Sequence, residues 1–88
     1  MRIKPDFQLK NDKGKHIIVA TGETARSFNS SIILSDSAVF LWECLKQQEM
    51  NKEQLVNALL DKFPISTILA LSHVDTFFKT LKENEILE

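Results

Sequence analysis

The side chains that could catalyse a reaction or hold a metal are few and scattered along the chain. There are two histidines, His16 and His73, and one cysteine, Cys44. No Asp, Glu, Cys or second His stands at metal-ligand spacing from either histidine. Cys44 follows Trp42 in an apolar segment, where a packed thiol is more common than a nucleophile. The sequence therefore predicts no metal site, and it favours ordinary strand and helix positions for both histidines.

Serine and glycine motifs do not supply the missing chemistry. No serine lies in a G-x-S-x-G sequence, which would mark a hydrolase nucleophile. Gly14 and Gly22 are the only glycines, and they do not form a phosphate-binding loop. We therefore expect a protein that is not an enzyme and that requires no cofactor.

Length and charge limit the remaining function classes. The 88 residues suit one small domain, residues 1–88, and a composition of 43% hydrophobic and 26% charged residues is that of a folded protein. A net charge of −1 argues against non-specific binding to nucleic acid or acidic membranes. The first 15 residues lack the apolar segment of a signal peptide, and no run approaches membrane-spanning length. We expect a cytoplasmic protein that has no membrane partner.

The first third of the sequence predicts β-structure. In "DFQLK" apolar and polar residues alternate, and "KHIIVAT" is rich in β-branched residues. Between them "NDKG" predicts a four-residue turn, with Gly14 at positive φ. Residues 22–30 are polar and predict an exposed loop. "SIIL", residues 31–34, predicts a third strand short enough to lie at a sheet edge.

The remainder predicts three helices with recognisable start signals. Ser35 is a good N-cap for the first helix. Asn51 and Gln54 form a capping-box pattern for the second, and the third starts near Ser66 or Thr67. It ends near Glu83. Apolar side chains recur at helical spacing and predict the buried faces; they are Ala38, Leu41, Trp42, Leu45, Leu55, Leu59, Phe63, Leu71, Val74, Phe77 and Leu81.

Two details concern the last helix and the residues after it. Asn84 is predicted to be a left-handed C-cap, and the apolar Ile86 and Leu87 are expected to fold back onto the core. Adjacent residues on a helix point about 100° apart. Phe77 and Phe78 therefore cannot both face the core centre, and one of the two rings is expected to line a groove.

This order of elements predicts a winged-helix-like α+β domain, with a three-stranded antiparallel sheet packed on a three-helix bundle. Winged helices often bind DNA, so a DNA-binding transcription regulator is an alternative. Residues 66–88 weaken it, because Lys79 and Lys82 are their only cations against four carboxylates. The only arginines, Arg2 and Arg26, lie outside the predicted helices. We expect no nucleic-acid partner.

Three segments together resemble the PqqD-like family, named for the pyrroloquinoline quinone biosynthesis D protein. They are "SIILSDSAVFLWECL", "MNKEQLVNALLDKF" and "HVDTFFKTLKENEIL". The family pattern is a strand ending in Leu-Asn, then Ala, then an aliphatic-Trp pair; here these are Leu34-Ser35, Ala38 and Leu41-Trp42. A Thr-x-x-Glu-Leu-like helix start matches residues 51–55. A final Leu-x-x-x-Gly-aliphatic-aliphatic pattern matches residues 81–87, with Glu85 in place of Gly.

The resemblance implies a non-catalytic protein that binds the leader segment of a ribosomally made precursor peptide. Such proteins present the leader to a modifying enzyme, often a radical S-adenosylmethionine enzyme. The leader adds as a strand to the third strand and lies beside the last helix. An edge strand has unpaired backbone N–H and C=O groups that can hydrogen-bond to an added strand. The resemblance covers residues 7–87.

On this basis we expect one set of site residues on the strand and another on the last helix. The strand set is the backbone of Ser31, Ile32, Ile33 and Leu34. The helix set, spaced 4, 3 and 4, is Leu69, His73, Thr76 and Thr80. The alternative for the helix set is that it faces solvent. A further alternative for the strand is pairing with its own copy, so the chain is expected to be a monomer or a weak edge-strand dimer.

Overall fold

The predicted order of elements and the α+β class are confirmed by a computed structural model, which describes residues 1–28 and 32–88. Three strands precede three helices. The strands form one antiparallel sheet in the order β1-β2-β3. The elements are β1 Phe7–Asp12, β2 Lys15–Ala20, a 3-10 helix Gly22–Arg26, β3 Ile33–Leu34, α1 Asp36–Gln47, α2 Lys52–Lys62 and α3 Thr67–Glu83.

The first hairpin is tighter than the sequence analysis predicted. Asp12 pairs with Lys15, so the turn has two residues, Lys13 and Gly14, instead of four. Their φ angles are 55° and 83°. Two positive φ angles in succession give the turn the twist that matches the flanking strands. The Asn11 side chain accepts a hydrogen bond from the Gly14 amide at 3.1 Å, which further fixes the turn.

The segment after β2 contains a 3-10 helix where an irregular loop was predicted. Asp6 holds this segment, because its carboxylate accepts a 2.7 Å hydrogen bond from the Thr24 hydroxyl. The Asp6 carbonyl also accepts from the Thr21 amide at 2.8 Å. Phe28 then packs edge-on against Phe7, with ring centroids 5.1 Å apart. The last two residues of the predicted loop, 29 and 30, lie outside the described residues.

All three helix starts carry side-chain caps, and the caps of the first two helices are the ones that the sequence predicts. The Ser35 hydroxyl accepts from the Ala38 amide at the start of α1, at 3.3 Å. Asn51 and Gln54 form both hydrogen bonds of a capping box at the start of α2. Ser66 caps α3 in the same way as Ser35 caps α1. Side-chain caps satisfy amides that have no partner within the helix.

The core joins the inner face of the sheet to all three helices. Trp42, which the sequence favoured as a core residue, is buried at 2% exposure. Leu71 was predicted to be buried but is 47% exposed, and Ala70 is buried instead. The two residues point about 100° apart, so in a helix that packs against α1 and α2 the burial of Ala70 turns Leu71 toward solvent. Phe77 is buried and Phe78 is half-buried, as expected for adjacent rings.

The end of α3 differs from the prediction in one residue. Asn84 has a φ of −99°, and Glu85 has the positive φ of 56°. The chain reverses at Glu85, and the buried Ile86 then accepts a hydrogen bond from the Lys4 amide at 2.9 Å. Leu87 pairs with Ile3. The two ends of the described chain are thereby held together.

No helix in the described part of the chain is both long enough and apolar enough to span a bilayer.

Candidate functional site

Strand β3 forms an open edge of the sheet. It pairs with β2 on one side, His16 opposite Leu34 and Ile17 opposite Ile33. No other strand of the described chain lies on its second side. The direct connection to α1 through the Ser35 cap fixes the strand against a helix. An open strand edge offers backbone donors and acceptors to another extended chain.

The register of β3 determines which backbone groups face outward. The Ile18 amide donates to the Ile32 carbonyl at 3.0 Å, so that carbonyl points toward β2. Backbone direction alternates along an antiparallel strand. The N–H and C=O of Ile33 therefore point away from β2, across the open edge. The backbone of four residues was expected to bind a peptide. Among the described residues of that set, only Ile33 has backbone groups that point outward; Ser31 lies outside the described residues.

The side chains of this segment alternate as the sequence predicts. Leu34 is 8% exposed, and Ile32 packs partly buried against the core. Ile33 points to the opposite face of the sheet and is 59% exposed. A peptide strand added at this edge would follow the same alternation, so every second side chain would face α3.

A groove of about 590 Å³ runs between β3 and α3. Residues from three elements line it: Ile32, Ile33, Leu34, Ser35, Ser37, Ala38, His73, Thr76, Phe77 and Thr80. Only His73 among them is titratable, so the groove is apolar with a few hydroxyl groups. Its composition suits the side chains of a peptide that pairs with β3.

The structure brings together six of the eight predicted site residues. Ile32, Ile33 and Leu34 stand on one wall of the groove, and His73, Thr76 and Thr80 on the other. Leu69 is 49% exposed and is not part of the lining. The strand is too short to face it: two strand residues cover about 7 Å, whereas the stripe from Leu69 to Thr80 covers about 16 Å of helix.

Four lining residues were missed by the sequence analysis: Ser35, Ser37, Ala38 and Phe77. Three of them belong to the start of α1, which closes one end of the groove. The sequence feature that could have identified these three residues is the direct connection of β3 to α1, because it places the first turn of α1 beside the end of the strand. Phe77 was assigned to the core alone, although the edge of a buried ring can also face a groove.

A chain of hydrogen bonds crosses this end of the groove. The Ala38 amide donates to the Ser35 hydroxyl, and the Ser35 and Ser37 hydroxyl oxygens are 3.2 Å apart. The Ser37 oxygen lies 2.9 Å from Nδ1 of His73. The chain connects the N-terminus of α1 to the middle of α3, so it fixes the orientation of the imidazole ring.

Cys44 is the one thiol of the chain, and it is not part of the groove lining. Burial, and then the nearby Glu43 carboxylate, raise the pKa of the Cys44 thiol, which keeps it protonated and weakly nucleophilic. No cluster of three metal-ligating side chains exists among residues 1–28 and 32–88.

A larger cavity, about 760 Å³, lies on the other flank of α3. Phe78 is its aromatic member, with Nζ of Lys52 at 4.6 Å and Nζ of Lys82 at 6.0 Å from the ring centroid. Glu85 and Glu88 also line it. Its wall is charged, and no element of the three-stranded sheet borders it. We therefore regard the smaller groove, with its open strand, as the candidate site.

Two solved structures share the fold of the whole chain. One is described as "TbiB1 in Complex with the TbiA(beta) Leader Peptide", with a TM-score of 0.74 and 15% identity; the match covers 100% of this chain and 95% of that one. The other is "Lasso peptide synthetase B1 complexed with the leader peptide", with a TM-score of 0.70 and 17% identity, covering 94% and 91%. No curated protein sequence matches the chain.

Sequence comparison with protein families gives a match to the model described as "Coenzyme PQQ synthesis protein D (PqqD)". The match runs over residues 16–87, which include all but the first residue of β2, and all of β3 and the three helices. It therefore spans every element that lines the groove. This chain belongs to the PqqD family.

Proposed function

We propose that this protein binds the leader segment of a ribosomally made precursor peptide by strand addition at β3. The observation that carries the proposal is the outward-facing backbone of Ile33 beside a mostly apolar groove. Both structural neighbours are described as complexes with leader peptides. Family membership adds to this support.

The proposed binding mode uses backbone and side chains for different purposes. The N–H and C=O of Ile33 pair with one leader residue, whose side chain points away from α3. The leader residues on either side of it place their side chains in the groove. The helical wall from His73 to Thr80 is about 10 Å long, which matches about three residues of extended peptide. Backbone pairing gives affinity for extended chains in general, and the groove gives selectivity.

In this proposal the protein also delivers the bound leader. It is non-catalytic, and it presents the leader to a peptide-modifying enzyme such as a radical S-adenosylmethionine enzyme in the cytoplasm. A preformed groove suits this task, because Ser35 already holds β3 against α1. A DNA-binding role has no support from α3, whose exposed N-terminal half has Ile68, Leu69 and Leu71 instead of basic residues.

The test is a titration of isotope-labelled protein with the leader segment of a short peptide encoded beside this protein's gene. We expect amide shifts in residues 32–35 and along α3 from His73 to Thr80. A duplex DNA probe in low salt serves as the matched comparison and should cause no shifts. Leader-induced shifts confined to the cavity around Phe78 would contradict strand addition at β3.

A further inference from the structure

The strongest unassigned feature of the groove is the hydrogen-bonded pair of His73 and Ser37. Nδ1 of His73 has the Ser37 hydroxyl as its partner, and no other side-chain hydrogen bond involves the ring within the described residues. No buried side-chain nitrogen or oxygen there lacks a hydrogen-bond partner. Nε2 is therefore not fully buried, and it belongs to a residue that lines the groove.

The neighbouring hydroxyls favour one direction of hydrogen bonding. The Ala38 amide can only donate, and it donates to the Ser35 oxygen. If Ser35 donates to Ser37 and Ser37 donates to Nδ1, each hydroxyl in the chain gives one hydrogen and accepts one. In the reverse order Ser35 accepts two hydrogen bonds and its own hydrogen faces solvent, so only the first order keeps both hydroxyl hydrogens within the chain. A neutral imidazole whose Nδ1 accepts has its hydrogen on Nε2.

We propose that Nε2–H of His73, held in place by Ser37, selects a leader side chain that has a hydrogen-bond acceptor oxygen. The inference rests on the proposed function and specifies its ligand. Ser37 follows Leu34 by three residues and contacts His73, so His73 lies at the Leu34 end of the groove. The selected side chain is an amide or carboxylate on the leader residue beside Leu34.

The opposite end of the groove takes a different side chain. The leader residue beside Ile32 also points toward α3, and it meets the wall formed by Phe77 and Thr80. Phe77 is 3% exposed and presents only a small apolar surface, so an apolar side chain fits there. Successive groove-facing residues of an extended peptide are two positions apart. The recognised pattern is therefore an apolar residue and an acceptor residue separated by one unconstrained residue.

The probe for this pattern is a displayed library of peptides with seven randomised residues, selected on the immobilised protein. We expect enrichment of Asn, Gln, Asp or Glu at one position and of an apolar residue two positions away. Enrichment of Asn or Gln would identify an amide as the acceptor, and enrichment of Asp or Glu would identify a carboxylate. Selection of apolar residues at both positions would overturn the proposal.

Variants of His73 separate recognition from a merely structural role. His73→Phe keeps a planar ring without a donor, and we expect it to bind the selected peptides about tenfold more weakly, the effect of one lost hydrogen bond. His73→Gln retains a donor amide and should restore most of the binding. Ser72→Ala, one residue away on the exposed face, is the matched control and should bind as the original does. An unchanged acceptor preference in His73→Phe contradicts the proposal.

Ser37 acts as a positioning residue, and its effect is visible on the imidazole itself. Ring ¹⁵N chemical shifts at neutral pH should show His73 with its hydrogen on Nε2, and Ser37→Ala should weaken that preference. A hydrogen on Nδ1 in the unmodified protein would overturn the proposed direction.

The ways in which the selection can fail distinguish the strand-addition proposal from the His73 proposal. If no peptide is enriched, or if enriched peptides leave the Ile33 amide unshifted, strand addition itself is wrong, and the His73 proposal is wrong with it. If peptides bind at Ile33 but show no acceptor preference, only the His73 proposal is wrong.

Discussion

Glu85 has a backbone conformation that favours glycine, at the position where the family pattern has Gly. A non-glycine residue in the left-handed region is destabilised by contact between its Cβ and the backbone. We expect Glu85→Gly to raise the free energy of unfolding by about 0.5–1 kcal/mol. Glu83→Gly, inside the last turn of α3, is the matched control and should lower it by about 1 kcal/mol. Urea unfolding measures the free energy of unfolding of both variants. Equal changes in the two variants would contradict this explanation.

Cys44 should be a slow nucleophile in the folded protein. Burial and then Glu43 raise its thiol pKa above the ordinary value, so the reactive thiolate forms only at higher pH. In an iodoacetamide pH–rate profile we expect the midpoint of the native protein to lie above that of the urea-unfolded chain. A midpoint at or below that of the unfolded chain would show that Cys44 is activated instead.

Single residues were predictable where one local rule decides the outcome. The caps Ser35 and Asn51 follow from side-chain chemistry within four residues of each helix start. The left-handed position at the end of α3 was assigned to Asn84 because Asn tolerates it better than Glu does. Tertiary contact decided otherwise: Ile86 must reach the core and the Lys4 amide, and that path requires the reversal at Glu85.

Strand β3 is the element on which the proposed binding depends, and the backbone N–H and C=O of Ile33 face outward from it. Ile33→Pro removes the outward N–H, while the β2 pairing uses its neighbours; proline is tolerated at strand edges in this orientation. We expect the variant to stay folded and to lose at least tenfold in leader affinity, because one hydrogen bond is absent and the ring obstructs the edge.

Ile33→Thr is the control for that change. It removes part of an exposed apolar side chain but keeps the backbone N–H, so leader affinity should change less than threefold. Calorimetric titration with the leader measures both variants, and circular dichroism checks the fold. If Ile33→Pro binds as well as Ile33→Thr, the leader does not use this edge.

At the scale of elements, the sequence predicted types and order better than lengths. Period-two alternation and β-branched residues predicted both long strands, and helical spacing predicted all three helices. The hairpin turn was predicted two residues too long, because the polar Asn11 and Asp12 suggested a loop. Their pairing with β2 depends on turn geometry, which polarity alone does not reveal.

The whole molecule determines which side of α3 can bind a peptide. The stripe from Leu69 to Thr80 is visible in the sequence, but the part of it that faces β3 is not. That part depends on where α1 begins and on how short β3 is. Both are long-range properties of the packed chain, and together they exclude Leu69 from the groove.

Pairing of β3 with a second copy should be weak. Two strands centred on Ile33 would exchange two backbone hydrogen bonds, worth about 1–3 kcal/mol, far short of the roughly 8 kcal/mol of a micromolar dimer. The side chains of Ile32 and Leu34 already pack in their own core, so they cannot fill the partner's groove. We expect sedimentation to give a monomer at micromolar concentrations. A stable dimer that the leader dissociates would contradict this expectation and would show that two copies make further contacts at the β3 edge.

The central claim is that a leader peptide pairs with the outward backbone of Ile33, and amide hydrogen exchange at that residue tests it most directly. The Ile18 amide, bonded to Ile32 across the sheet, is the internal reference and should exchange slowly with or without leader. We predict that the Ile33 amide exchanges rapidly in the free protein and slowly when the leader is bound. Rapid exchange at Ile33 with the leader bound to saturation would contradict the account.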